Sequence, residues 1–395
     1  MVTVAAAATL LIAAFASMFM AWTIGAGSSG STPFAPAVGA NAIPVMRAGF
    51  YVGILGFAGA VLQGANVSQT VGKGLVAGST LTPVAVIVAL LTAATLVAVG
   101  VFTGYPIATA FTVTGAVVGT GLAMGGDPAW AKYTQIATLW VLVPFVGAGA
   151  SFITAYALRE LDRDAVLVPL LAAVVGALVA NVGFALLGPA GASRSIATAV
   201  SVAALGHAEL AGVVAVSLVL AALVAALVRW DVAANGEGGT RRFLLALGAL
   251  VAFSAGGSQV GLAVGPLLPL VGGDVPTVYV LVGGGLGLLI GSWTGAPRMI
   301  KALAQDYSSL GPRRSIAALI PSFAIAQAAV FFGIPVSFNE IIVSAIVGGA
   351  AGATSGGTVS REKMLKTAAA WVGSLALALA AGYGAFAALA LVGIA

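Results

Sequence analysis

The sequence predicts an all-α, polytopic membrane protein of about 12 transmembrane helices. They form two inverted five-element repeats with broken helices, joined by two linking helices. Three observations lead there. Apolar residues make up 61% of the 395-residue chain and charged residues 7%, with mean hydropathy +1.13, whereas a soluble domain carries about a quarter charged residues. Apolar runs long enough to span a bilayer recur along the chain, continuous rather than alternating, which selects helices over a barrel. Finally, GYPIATAFTVTGAVVG, with Pro106 and Gly119, is echoed by GIPVSFNEIIVSAIVG, with Pro335 and Gly348. KYTQIATLWV and KMLKTAAAWV repeat the pattern, pairing Lys132 with Trp140 and Lys363 with Trp371 at one spacing.

The elements follow in order. The first unit, residues 1–157, holds apolar elements near 3–43 (interrupted by glycines and prolines), 46–66, 82–102, 105–126 and 134–157. Residues 158–235 supply two linking elements, near 165–188 and 198–228. The second unit, 236–395, repeats the pattern near 242–271 (interrupted), 276–296, 315–333, 336–357 and 367–394. Met1 to Met20 is apolar without a basic leader, so it reads as a retained first span. An odd number of crossings before the second unit makes the two repeats inverted.

Charge fixes the direction. With the N-terminus outside, Arg47, Arg159, Arg163, Arg229, Arg241, Arg242, Arg298, Lys301, Arg313, Arg314, Arg361, Lys363 and Lys366 fall inside. Of the 16 basic residues only Lys73, Lys132 and Arg194 remain outside, as cytoplasmic enrichment of Lys and Arg requires. These cations stand singly between apolar spans, so a net charge of +5 does not indicate a nucleic-acid partner. Trp130 and Trp230 fall at span ends, where amphipathic rings settle; Trp140 and Trp371 sit inside spans as packing residues. Gly283, Gly287 and Gly291, and likewise Gly348, Gly352 and Gly356, form stripes that admit a close helix from the same chain or from a second copy in a homodimer.

Polar residues then mark where the membrane interior is interrupted. Ser28, Ser29, Ser31 and Thr32 crowd between Gly30, Pro33 and Pro36, and the second unit offers Ser254, Ser258 and Gln259 before Pro266. Paired breaks in corresponding positions point to a transport site. Pro106 and Pro335 mark helix starts, placing Ala108, Thr109, Ser337 and Asn339 in first turns. There, helix-end N–H groups and neutral donors suit an oxyanion. Glu340 is a carboxylate inside a late span and the proton-coupling candidate. His207 and Glu209, in the linking segment, could titrate or mark a packing kink.

These motifs resemble those of the inorganic phosphate transporter family over nearly all the chain apart from the linking segment. FSAGGSQVGLAVGP is similar to that family's FSHGANDVANAIGP, with Ser258 on the Asn and Gln259 on the Asp. IGAGSSGSTPFAPAVG is similar to IGANDVANSFGTAVG with one extra residue, placing Gly27 on the Asn, Ser28 on the Asp and Ser31 on the later Asn. GANVSQTVGKG resembles GSRVSETIRKG, with Gln69 on the Glu. Of the GLPVSTTH-type motif, Gly104, Pro106, Thr109 and Gly115 match in one unit, and Gly333, Pro335, Val336 and Ser337 in the other. Ala108, Ala110 and Phe111, and Phe338, Asn339 and Glu340, stand in place of motif residues.

The resemblance implies a permease moving inorganic phosphate by alternating access in the cell membrane, with Ser28, Ser29, Ser31, Thr32, Thr109, Ser258, Gln259, Ser337 and Asn339 around the anion. Both motif carboxylates are replaced, which argues against sodium coupling and leaves protons, through Glu340, as the partner ion. Sulfate or another small oxyanion, or an uncoupled anion channel, are the alternatives. With one His and no Cys no metal or cofactor site is expected. No nucleophile and base pair indicates an enzyme.

Overall fold

The computed structural model describes residues 4–78, 80–161, 164–188, 193–272, 275–306, 311–353 and 361–394. Arg163 and Gly356 therefore lie outside the described residues. The first unit runs α1 (Val4–Gly27), a turn, α2 (Ala35–Gly39), α3 (Val45–Gln63), α4 (Ala65–Lys73), β1 (Val76–Ala77), α5 (Pro83–Thr103), α6 (Thr109–Ala123), β2 (Asp127–Pro128) and α7 (Trp130–Glu160). The link comprises α8 (Asp164–Asn181), β3 (Gly183–Phe184), β4 (Arg194–Ser195), α9 (Ile196–Leu205) and α10 (Leu210–Asn235). The second unit runs α11 (Glu237–Val264), a 3-10 turn (Gly265–Leu267), α12 (Leu268–Val271), α13 (Thr277–Thr294), α14 (Ala296–Asp306), α15 (Pro312–Phe332), α16 (Phe338–Ala353) and α17 (Arg361–Leu391).

Among the described residues, 9 helices are long and apolar enough to cross a membrane. Helices α6 and α16 are not. Over their 15 and 16 described residues they reach about 22–24 Å, short of the ~30 Å hydrocarbon core. Their partners are exchanged between units: α6 lies against α17 and α16 against α7. The repeated glycines make this possible. A Cβ on Gly119 would collide with the Leu379 carbonyl, and one on Gly348 with the Ala148 carbonyl. Gly352 likewise abuts Phe152, so this stripe serves packing within the chain, whereas Gly283 meets nothing. The remaining packing also comes in matched pairs, α1 on α5 and α13, α11 on α15 and α3.

Three expectations are corrected. The 198–228 element is two helices, because Gly206 takes a left-handed φ of +79° and ends α9; exposed His207 and Glu209 pair at 2.9 Å in the intervening loop. Short amphipathic helices α4 and α14 follow α3 and α13, where the apolar pattern was too brief to declare them. The second unit is not broken at its hydroxyls: α11 continues through Ser254, Ser258 and Gln259 and yields only at Gly265. No proline intervenes before Pro266, and Gly256 and Gly257 stay helical because α3 packs directly on them.

Trp130 and Trp230 are 72% and 70% exposed, in keeping with interfacial positions. Arg159, Arg241, Arg313 and Arg314, all assigned to the inner side by sequence, line one cavity of about 1040 Å³ at one end of the bundle.

Candidate functional site

The site is built by two chain reversals. Helix α5 ends at Gly104 and α15 at Gly333, both left-handed, at φ +76° and +62°; a glycine takes that conformation without strain. Pro106 and Pro335 then hold the preceding residues extended and lack an N–H. The chain therefore returns into the bundle before α6 and α16 begin, at Thr109 and Phe338. Pro106 and Pro335 thus stand in the extended approach, not at helix starts, and Ala108 and Ser337 precede the first turns.

Each proline carbonyl, which would be unsatisfied in hydrocarbon, accepts the indole N–H of the other unit's tryptophan. Trp371 Nε1 donates to Pro106 O and Trp140 Nε1 to Pro335 O, both at 2.8 Å. The repeated Pro and Trp are one device used twice, and the packing role expected for these tryptophans has this as its content.

Between the two half-helices four elements meet. Gln259 of α11 is fully buried. Its Oε1 accepts from Thr109 Oγ1 at 2.8 Å and from Ser28 Oγ at 3.3 Å, and its Nε2 donates to Val336 O at 2.7 Å. Ser28 and Gln259, the residues aligned to the two family carboxylates, therefore touch each other. Asn339 Nδ2 donates to Ile107 O at 2.7 Å and to Gly27 O at 3.1 Å. Ile107 and Val336 occupy matching places just after the two prolines, so each approach segment is held by an amide.

The other predicted residues divide into two sets. Ser31 and Thr32 are buried but donate to Ser28 O at 3.1 and 3.0 Å, and Ser29 to Ile24 O at 3.5 Å. These hydroxyls serve the turn. By contrast Ser258 Oγ, Ser337 Oγ, Asn339 Oδ1 and Glu340 Oε2 are buried without a hydrogen-bond partner. Unsatisfied buried polar groups are uncommon enough to require an explanation, and here they neighbour the cluster in sequence. The first-turn N–H groups of α6 and α16 have no intrahelical acceptor. The centre thus presents neutral donors and helix-end dipoles.

Sequence reasoning missed Gln63, Gln327, their mutual bond and the bond from Gln327 to Ser254, although an isolated amide within an apolar span is a signal in itself.

A helical bundle in which two short helices aim their amino ends at a buried polar cluster defines a solute permease of the membrane. The chain belongs to the phosphate transporter family, whose family model matches residues 24–382. A Thermococcus kodakarensis protein described as a phosphate permease is 27% identical over 360 residues, covering 86% of this chain and 87% of that one. Inorganic phosphate transporter 2-1, chloroplastic, of Arabidopsis thaliana is 26% identical, covering 86% of this chain and 65% of its own length. The solved structure of the sodium-dependent phosphate transporter shares the fold, with TM-score 0.79 at 24% identity, covering 98% of this chain and 100% of that one.

Proposed function

We propose that the protein is a secondary permease that carries inorganic phosphate through the cluster between α6 and α16 by alternating access of two inverted units, residues 1–157 and 236–395. The observations that carry this reading are the buried, unpartnered hydroxyls of Ser258 and Ser337 and the two helix amino ends that Gln259 and Asn339 bond. A tetrahedral oxyanion accepts from hydroxyls and N–H groups together. Ser28, Thr109 and Gln259 complete the ring through their mutual bonds, while Ser29, Ser31 and Thr32 shape the turn that holds Ser28.

Coupling falls to protons in this reading. At the two positions where the family has carboxylates, Ser28 and Gln259 are neutral, and both faces of the Gln259 amide are already hydrogen-bonded. A hard cation lacks anionic oxygens there. Glu340 is 1% exposed, in the first turn of α16, with one oxygen unpartnered, and we assign it the coupling proton. The inner arginine-lined cavity supports an outside N-terminus in the cell membrane. The exposed apolar face of α10, with Leu218, Val219 and Leu223, is the surface for lipid or for a second copy.

Radiolabelled phosphate uptake into proteoliposomes tests the reading. Uptake should saturate, be competed by arsenate, respond to an inward proton gradient and ignore sodium. Absence of phosphate uptake under every gradient contradicts the function. Sodium-driven, pH-independent uptake contradicts only the coupling. Glu340→Gln should transport at a rate that no longer depends on pH.

A further inference from the structure

A second cavity, of about 1130 Å³, opens between α3 and α4 of the first unit, the linking segment, and α13 and α15 of the second. Among the described residues its wall carries Asn66, Asn181, Arg194 and Thr198 and no Asp or Glu. At its floor Gln63 and Gln327 bond each other reciprocally, Nε2 to Oε1 at 3.3 Å in both directions. Gln63 Nε2 also donates to Gly183 O at 2.8 Å, and Gln327 Nε2 to Ser254 Oγ at 2.5 Å. Ser254 lies one turn before Ser258 on α11, so the two share a helix face. The Ser258 hydroxyl is buried and unpartnered, and Gln259, at the centre of the site, is the next residue.

We propose that this cavity is the entrance through which the anion reaches the site, and that the Gln63–Gln327 amide pair is its selective constriction. The chemistry runs one way along the route. A guanidinium at the wall raises the local concentration of anions, and neutral donors follow. A reciprocal amide pair suits such a gate: each Nε2 can exchange the facing carbonyl for an anion oxygen, and a freed Oε1 can accept from the P–OH of a protonated phosphate. Gln63 belongs to the first unit and Gln327 to the second, so the pair also reports whether the units have separated.

The test rests on the proposed phosphate transport and can fail separately from it. The chain contains no cysteine, so a single thiol can be placed without background. Ala324, on the cavity wall one turn before Gln327, becomes the probe as Ala324→Cys, with Ala328→Cys as a second probe should the first fold poorly. Uptake by the unmodified variants reports the transport function. A charged, membrane-impermeant thiol reagent should then cut phosphate uptake about tenfold, the loss expected when a path of hydrogen bonds to a charged solute is blocked. Phosphate should also slow the labelling. The same reagent on Leu218→Cys, facing away from the cavity, should leave uptake unchanged. Gln327→Leu should lower uptake about tenfold while melting within a few degrees of the parent. Full transport by labelled protein, or failure of either probe to be labelled, overturns the proposal.

Discussion

The two halves of the molecule share a frame and differ in what they place inside it. In both, a left-handed glycine, an extended proline and an indole from the opposite unit deliver the amino end of a half-spanning helix to the bundle centre. In the first unit the central stretch of chain is a true break, Ser28–Phe34, in which the Ser31 and Thr32 hydroxyls fold back on Ser28 O and that of Ser29 on Ile24 O. In the second it is continuous helix, and Gln259 reaches across the interface to Thr109, Ser28 and Val336. The positions following the prolines diverge as well. Phe111 stacks on Trp140 with ring centroids 3.8 Å apart, whereas Glu340, its counterpart in the motif, is a buried acid. Backbone demands are thus met symmetrically, while side-chain chemistry is divided: the second unit supplies the amides and the acid, the first mainly hydroxyls.

That division can be attacked at its strongest point first. Gln259→Leu strands the Val336 carbonyl and leaves the Ser28 and Thr109 hydroxyls only their 3.4 Å bond to each other; a buried unpaired group costs about 1–3 kcal/mol. It should lower the melting temperature by several degrees and phosphate affinity roughly 100-fold; isothermal titration showing an affinity near that of the parent would mean the second unit does not dominate the site. Ser28→Ala removes two long bonds, 3.3 Å to Gln259 and 3.4 Å from Thr109, and should weaken affinity about fivefold, with little change in melting. An effect larger than that of Gln259→Leu would reverse the comparison.

The shared frame predicts equality instead. Trp140→Phe and Trp371→Phe each leave a proline carbonyl unpaired and should destabilise by about 1–2 kcal/mol, equally within error by denaturant melts. A twofold disparity between them would show that the two reversals are not equivalent. Smallest of all, Ser31→Ala should stay within about 0.5 kcal/mol and leave uptake unchanged, since its hydroxyl bonds only its own turn.

How much of this was legible in the sequence depends on which physical constraint fixes the residue type. Pro106 and Pro335, Gly119 and Gly348, and Trp140 and Trp371 stand out as repeated pairs because chain reversal, close helix approach and a carbonyl in hydrocarbon admit few residue types. The sequence alone puts the prolines at helix starts and the tryptophans in packing roles, since the extended approach and the indole bonds need the fold. The meeting of Ser28, Thr109, Gln259 and Asn339 followed from the same frame. The course of α11 was not legible, although the absence of proline between Ser254 and Gly265 was an available signal. Nor could composition separate Ser31 and Thr32, which bond locally, from Ser258 and Ser337, which do not: that depends on turn geometry. The pairing of Gln63 with Gln327 joins distant spans, and no local pattern encodes it.

The central claim is that the unpartnered hydroxyls beside the half-helix ends hold the anion. Phosphate titration of purified Ser258→Ala/Ser337→Ala against the parent tests it most directly. Affinity should fall at least about tenfold with the melting temperature in the absence of phosphate unchanged, because neither hydroxyl has a bond to lose. Parental affinity in the double variant would contradict the account.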